Sequence, residues 1–253
     1  MKKPLFIATC LGTAALASTA HADRRAYGVT YEAVTAPQGE IDVETWSTFA
    51  PEGEVEGGPS SRGIREMIEL EYGITDHWDV ALYNMLDMIT SGDTESGYAG
   101  FKLETRYRPT DRGQWVIDPV FYFEFQQLFR GDADQKLEAK LILAKDFGDL
   151  NVAANVALEE ERLSDRTWNT EVEYAVGASY ALTPAWVVGA ELFGKAEKDM
   201  DIVNRSWAGP AISWAGGGRG ALRGVWVTLS GGAGLGGEAD PYYARAIVGF
   251  QFR

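Results

Sequence analysis

The chain of 253 residues has one cysteine and two histidines. Beyond residue 22 it has no run of the ~18 consecutive apolar residues that a membrane-spanning helix needs. The first 22 residues read as a processing signal. Lys2 and Lys3 give a positive start, residues 5–17 are mostly apolar, and Ala20-His21-Ala22 supplies a small-residue cleavage site, so the mature chain is expected to begin at Asp23. Ile7-Ala8-Thr9-Cys10 loosely suggests lipid attachment, but the apolar stretch continues past Cys10 and a cut there would truncate it. Cleavage after Ala22 removes Cys10 and His21 and leaves His77 as the one histidine. Disulfides, cysteine-based metal sites and cysteine nucleophiles are then excluded. Losing two lysines and no acids also takes the formal charge from −14 to −16. Such an acidic chain is not expected to bind nucleic acid, whose phosphates call for clusters of Lys and Arg.

What the chain has in quantity is two-residue alternation. From Asn169 to Tyr180, Thr170, Val172, Tyr174, Val176, Ala178 and Tyr180 share one face, and Asn169, Glu171, Glu173, Ala175, Gly177 and Ser179 share the other. About twelve such segments follow one another, near residues 39–49, 64–74, 78–89, 97–108, 115–129, 135–147, 150–162, 168–182, 185–197, 204–215, 222–233 and 242–252. Their connections alternate. Short, turn-like ones (Thr75-Asp76-His77, 109–114, Phe147-Gly148-Asp149, Leu182-Thr183-Pro184, 216–220) alternate with more polar and often longer ones (50–61, 90–96, 130–134, 164–167, 197–203, 234–241).

An exported chain without a spanning helix can still cross a membrane as a closed barrel, because closure pairs every backbone polar group inside the bilayer. The expected fold is therefore all-β, a single antiparallel up-and-down transmembrane β-barrel of about 12 strands, with short periplasmic turns, longer external loops and both termini periplasmic. Trp78, Trp115 and Trp186 follow proposed periplasmic turns and Trp214 precedes one, whereas Tyr98, Phe129 and Trp168 lie toward the opposite rim. Two aromatic girdles are a membrane signature; a soluble barrel with scattered core aromatics is the alternative. Charges of both signs at mid-strand fit a polar lumen: Lys102, Glu104, Arg106, Glu124, Lys136, Glu138, Lys140, Glu171, Glu173, Glu191 and Arg245 are the expected pore-lining residues. On a soluble barrel the same charges would be a solvated exterior.

In the last segment Ala244, Ala246, Val248, Phe250 and Phe252 form one face, with Gly249 and an aromatic near the end, followed by Arg253. This resembles the C-terminal recognition strand of Gram-negative outer-membrane β-barrels. Glu69-Leu70-Glu71-Tyr72-Gly73-Ile74-Thr75-Asp76 is similar to the strand-and-turn of porin-like outer-membrane transporter families. The resemblance implies residence in the outer membrane among lipids and lipopolysaccharide, with folding by the barrel-assembly machinery. Residues 1–22 are then a signal peptide, 23–38 a periplasmic tail or inward plug, and 39–253 the barrel. An extra strand at 23–38 would spoil the even count.

Other chemistry fits less well. Barrel enzymes that resemble outer-membrane phospholipases need a serine activated by a histidine, yet His77 falls in a tight Asp-His-Trp turn on the wrong rim. Glu171 and Glu173, two apart on a strand, point into the same lumen rather than forming an acid–base pair. Residues 232–237 match a dinucleotide-binding glycine pattern but precede Glu-Ala-Asp-Pro and no helix. Arg130-Gly131-Asp132 matches an integrin-type tripeptide that is short and expected by chance. Acidic loops carrying Glu52, Glu54 and Glu56, Asp93 and Glu95, Asp132 and Asp134, and Glu238 and Asp240 offer oxygen ligands for divalent cations, without a recognisable calcium spacing. The expected function is a narrow passive channel for small hydrophilic or amphipathic solutes, with no cofactor. A closed structural or surface-binding barrel is the alternative, and a lipid-modifying enzyme ranks third.

Overall fold

The computed structural model describes residues 24–51, 57–59, 62–91, 93–131, 133–196, 205–216 and 224–252. The signal segment lies outside the described residues. Twelve strands follow in order: β1 (Ile41–Ala50), β2 (Gly63–Thr75), β3 (Trp78–Ser91), β4 (Asp93–Tyr107), β5 (Asp118–Leu128), β6 (Ala133–Phe147), β7 (Leu150–Leu163), β8 (Trp168–Ala181), β9 (Trp186–Ala196), β10 (Arg205–Ala215), β11 (Val225–Gly234) and β12 (Tyr242–Phe252). Each pairs antiparallel with its sequence neighbours, and β1 pairs with β12 from Ile41↔Phe252 to Phe49↔Ala244. The sheet is a closed up-and-down barrel with no edge.

Burial now assigns the two faces. In β2, Glu69 and Glu71 are 0% and 1% exposed, while Ile68, Leu70 and Tyr72 between and beside them are 49%, 51% and 45% exposed. The same inversion holds in β8, where Glu171 and Glu173 are buried and Val176 and Tyr180 exposed. A soluble barrel buries its apolar face, because water is its outer solvent. Here the apolar face is outside and the charged face inside, which is the order a lipid solvent selects. Trp78, Trp115 and Trp186 are exposed near the short-turn rim, and Tyr98, Phe129 and Trp168 near the loop rim.

Three strand starts differ from the sequence expectation by three residues or more. β4 begins at Asp93 rather than 97 and contains a bulge, since Met85 pairs with Gly100 but Leu86 with Tyr98. Gly100 sits at φ +145°, and a Cβ there would lie 2.1 Å from the Gln127 carbonyl oxygen, so only glycine fits. The extra residue turns Tyr98 from the parity of Lys102 to the outer face, where its ring lies 5.8 Å from that of Phe129. β5 begins at Asp118 rather than 115, because the Gly113 N–H donates to Asp118 Oδ2 at 2.9 Å and folds the preceding residues into the turn. β11 begins at Val225 rather than 222, and residues 217–223 are outside the described residues. The Phe147–Leu150 connection is the tightest kind. Gly148 at φ +66° takes the first central position of a two-residue turn whose twist matches the strands.

Inside the barrel Trp226 of β11 lies over Gly249 of β12, its direct cross-strand partner, and a Cβ on Gly249 would lie 2.1 Å from the indole ring. Gly249→Val should therefore lower barrel stability by about 1–3 kcal/mol through overpacking. The check is the temperature at which refolded protein in detergent loses its fast-migrating form on unheated gels; an unchanged temperature would mean that Trp226 has room to move.

Candidate functional site

All eleven predicted lining residues project inward. Nine are buried, and Lys136 and Lys140 are half-buried. What brings them together is strand register. Glu104, Glu124, Glu138, Glu159 and Glu171 are directly opposite one another across β4, β5, β6, β7 and β8, forming one continuous glutamate row around the inner wall. Like charges in direct cross-strand opposition repel, so the row needs compensation. It comes from neighbouring levels. Lys102 Nζ lies 2.7 Å from Glu124, Lys136 Nζ 2.9 Å from Glu159, Lys140 Nζ 2.7 Å from Glu138 and Lys195 Nζ 3.1 Å from Glu171. Arg106 reaches Glu104 at 3.4 Å and Asp79 at 3.0 Å and also contacts Glu71. Sequence reasoning missed Glu159, Glu69, Glu71 and Asp79. The alternation of β2, β3 and β7 carries the signal for each, but only register shows that Glu159 completes the row.

Residues 24–38 lie within the barrel and add no strand. The Arg24 guanidinium donates to the Ala185 carbonyl at 2.9 Å, and at the other end Thr35 Oγ1 and the Gln38 N–H donate to Asp76, so the segment enters and leaves at the short-turn rim. Between these points it rises to mid-lumen. Glu191 of β9 accepts the N–H groups of Gly28, Val29 and Thr30 at 3.0, 2.9 and 2.9 Å, three charge-assisted bonds on one carboxylate. The Asn155 side chain bonds both main-chain groups of Tyr31, accepting its N–H at 2.6 Å and donating to its carbonyl at 3.0 Å. Tyr27 Oη donates to Asn151 Oδ1 at 3.0 Å, and Arg245 donates to the Gly28 carbonyl at 2.9 Å. Small residues make room. A Cβ on Gly28 would meet Ser230 Oγ at 1.8 Å, and one on Gly177 would meet the Tyr27 ring at 2.6 Å. The Arg25 guanidinium stacks over Tyr31 and Trp46, 4.4 and 4.5 Å from the ring centroids, and lies 3.4 Å from Glu44.

A small cavity of about 60 Å³ lies between this segment, at Val29 and Tyr31, and Gly57 of the β1–β2 loop. Its wall combines the rings of Trp46, Tyr122, Phe193 and Trp207 with Lys102, Lys140, Lys195, Arg245, Glu124, Glu138 and Glu173. Aromatic faces beside cations and carboxylates give this wall both apolar and polar contacts.

The other sequence candidates are dispersed. His77 is at the short-turn rim, its Nδ1 3.0 Å from the Arg108 carbonyl and its Nε2 3.5 Å from Asp111. Residues 232–237 belong to the end of β11 and the turn after it, and a Cβ on Gly232 would meet the Tyr243 ring at 2.8 Å. Glu52, Glu54, Glu56 and Asp132 lie outside the described residues. Asp134 accepts from Ser164, and Glu238 lies 3.5 Å from Arg205, while Asp240 is buried. In the β7–β8 loop the Thr167 hydroxyl and N–H donate to Asp165 and hold its carboxyl below the usual carboxylate range.

No family model matches the chain, and no curated protein matches its sequence. Its fold is that of outer-membrane porins and channels. The COG4313 outer membrane channel from Pseudomonas putida F1 superposes with a TM-score of 0.65 at 11% identity, over 87% of this chain and 98% of that one. The KdgM porin gives 0.56 at 11% identity over 84% and 98%, and the NanC porin 0.52 at 9% over 84% and 99%.

Replacing Glu191 by Ala leaves the buried N–H groups of Gly28 and Thr30 and the half-buried one of Val29 without their acceptor, each buried one costing about 1–3 kcal/mol. Hydrogen exchange of peptides covering residues 24–38 should then accelerate well beyond that of the strands. Unchanged protection would show that Asn155 and Arg245 hold the segment without Glu191.

Proposed function

We propose that this protein is an outer-membrane channel through which small hydrophilic or amphipathic solutes diffuse, with residues 24–38 acting as a plug that narrows the passage. The observation that carries this reading is the inward-facing glutamate row with lysines and Arg106 at the levels beside it, next to an aromatic-lined cavity of about 60 Å³. Fixed charges along such a wall select by sign and size and replace part of a solute's hydration shell. The acidic balance of the chain favours cations. Porins and a channel among the structures of like fold support the same reading. It calls for no catalytic group and no cofactor; lipid hydrolysis is disfavoured by the place of His77 at the short-turn rim. Its partners are the small solutes themselves, outer-membrane lipids and lipopolysaccharide against the aromatic girdles, and the barrel-assembly machinery that reads β12 after a signal peptide has been removed at residue 22. The acidity of the chain argues against nucleic acid.

A closed barrel is the second reading, favoured by the hydrogen bonds that fix residues 27–31 across the lumen and by the pairing of Lys with Glu between rows.

Planar-bilayer recordings separate the two. The channel should give small, cation-preferring steps, and deletion of residues 24–38 should raise the unit conductance severalfold, with the cation preference weakening as salt screens the wall. Steps absent from both the full mature chain and the deletion would exclude a channel; steps only in the deletion would identify a barrel closed by its own N-terminal segment.

A further inference from the structure

Where β1 meets β2, a second acidic group adjoins the five-glutamate row, since Glu71 is level with Glu104 through Ala81 of β3. Glu44 of β1 is directly opposite Glu69 of β2, and Glu71 follows two residues on, on the same inward face. One carboxylate oxygen from each of the three lies within 4.8 Å of the other two, and all three side chains are buried. Trp46 Nε1 donates to Oε2 of both Glu44 and Glu69 at 3.0 Å. The remaining oxygen of Glu69, Oε1, is fully buried and has no hydrogen-bond partner among the described residues. A buried carboxylate oxygen with nothing to accept is an open ligand position.

Arg25 reaches Glu44, Arg106 reaches Glu71, Asp79 and Glu104, and Lys102 reaches Glu104 and Glu124. This connected set, with Glu69, holds the carboxylates of Glu44, Glu69, Glu71, Asp79, Glu104 and Glu124 against the cations of Arg25, Arg106 and Lys102. Glu69 itself makes no salt bridge among the described residues, and a buried carboxylate without a cation must take up a cation or a proton.

We infer that Glu44, Glu69 and Glu71 form an intramural cation site that takes a hard divalent ion of the Ca²⁺ type. The donor set is carboxylate oxygen alone, with no thiol or imidazole, which suits Ca²⁺ rather than Zn²⁺ or Cu²⁺. Oxygens bound to one Ca²⁺ at about 2.3–2.6 Å stand no more than about 5 Å apart, which the spacing of this trio satisfies. The ion would bridge β1 and β2 next to the seam where β1 meets β12, and it would replace the repulsion between Glu44 and Glu69 with shared ligation. The site is independent of whether the lumen conducts.

Terbium, a luminescent stand-in for Ca²⁺, tests it on the full mature chain in detergent, since Trp46 is placed to sensitise an ion held by Glu44 and Glu69. Tryptophan-excited terbium emission should be competed away by Ca²⁺. Glu69→Gln, which keeps the shape and the Trp46 contact, should lower the affinity of this component by about tenfold or more, and Trp46→Phe should remove its sensitisation. Heat-modifiable migration confirms that each variant is folded, and Glu44→Gln substitutes if Glu69→Gln is not. Identical titrations for wild type and the Gln variant would place the ions in the external loops only and overturn the proposal. Absence of Ca²⁺-competed emission, together with a protonated-carboxyl infrared band that disappears in Glu69→Gln, would overturn it in favour of a proton held on Glu69.

Discussion

Inside a bilayer no water is available to satisfy a backbone N–H or C=O, so each must be paired within the protein. Closure of β1 on β12 is how this chain meets that demand, and the remaining architecture depends on it. Once the sheet is a closed ring, alternate residues have only two places to go, outward to lipid or inward to the lumen. Ile68, Leu70 and Tyr72 take the first and Glu69 and Glu71 the second. Closure also fixes the register of every strand against two neighbours. Carboxylates far apart in sequence are thereby brought into direct opposition.

That opposition sets the electrostatics of the interior. The row of Glu104, Glu124, Glu138, Glu159 and Glu171 is held by amines one level above or below, so that attraction runs diagonally where repulsion runs straight across. On the other wall Arg25 of the inserted segment lies against Glu44 and stacks over Tyr31 and Trp46. The inserted segment and the barrel are thus mutually dependent. Glu191 and Asn155 would face the lumen without their main-chain partners if residues 27–31 were elsewhere, and those main-chain groups would be equally unsatisfied.

Much of the wall was legible because a strand repeats every two residues and nothing but a change of period hides that. That Glu171 and Glu173 share one face and Val176 and Tyr180 the other follows directly from it. Alternation alone does not assign a face where one residue breaks the period. Tyr98 has the parity of the inward Lys102, and only the bulge at Gly100 returns it to the outer face. Nor does alternation match a strand to its partner. Glu159 was passed over because nothing in β7 alone says that it stands beside Glu138 and Glu171.

The sequence by itself determined the all-β barrel, its twelve strands, the alternation of short and long connections and the two girdles, since all of these are local periodicities and local turn chemistry. Which face is outside, how the glutamates align, that residues 24–38 run through the lumen, and that Glu44, Glu69 and Glu71 converge were decided only by the tertiary structure. The physical reason is that each depends on register between segments distant in the chain. A one-residue slip of any strand would exchange its faces without altering a single local pattern.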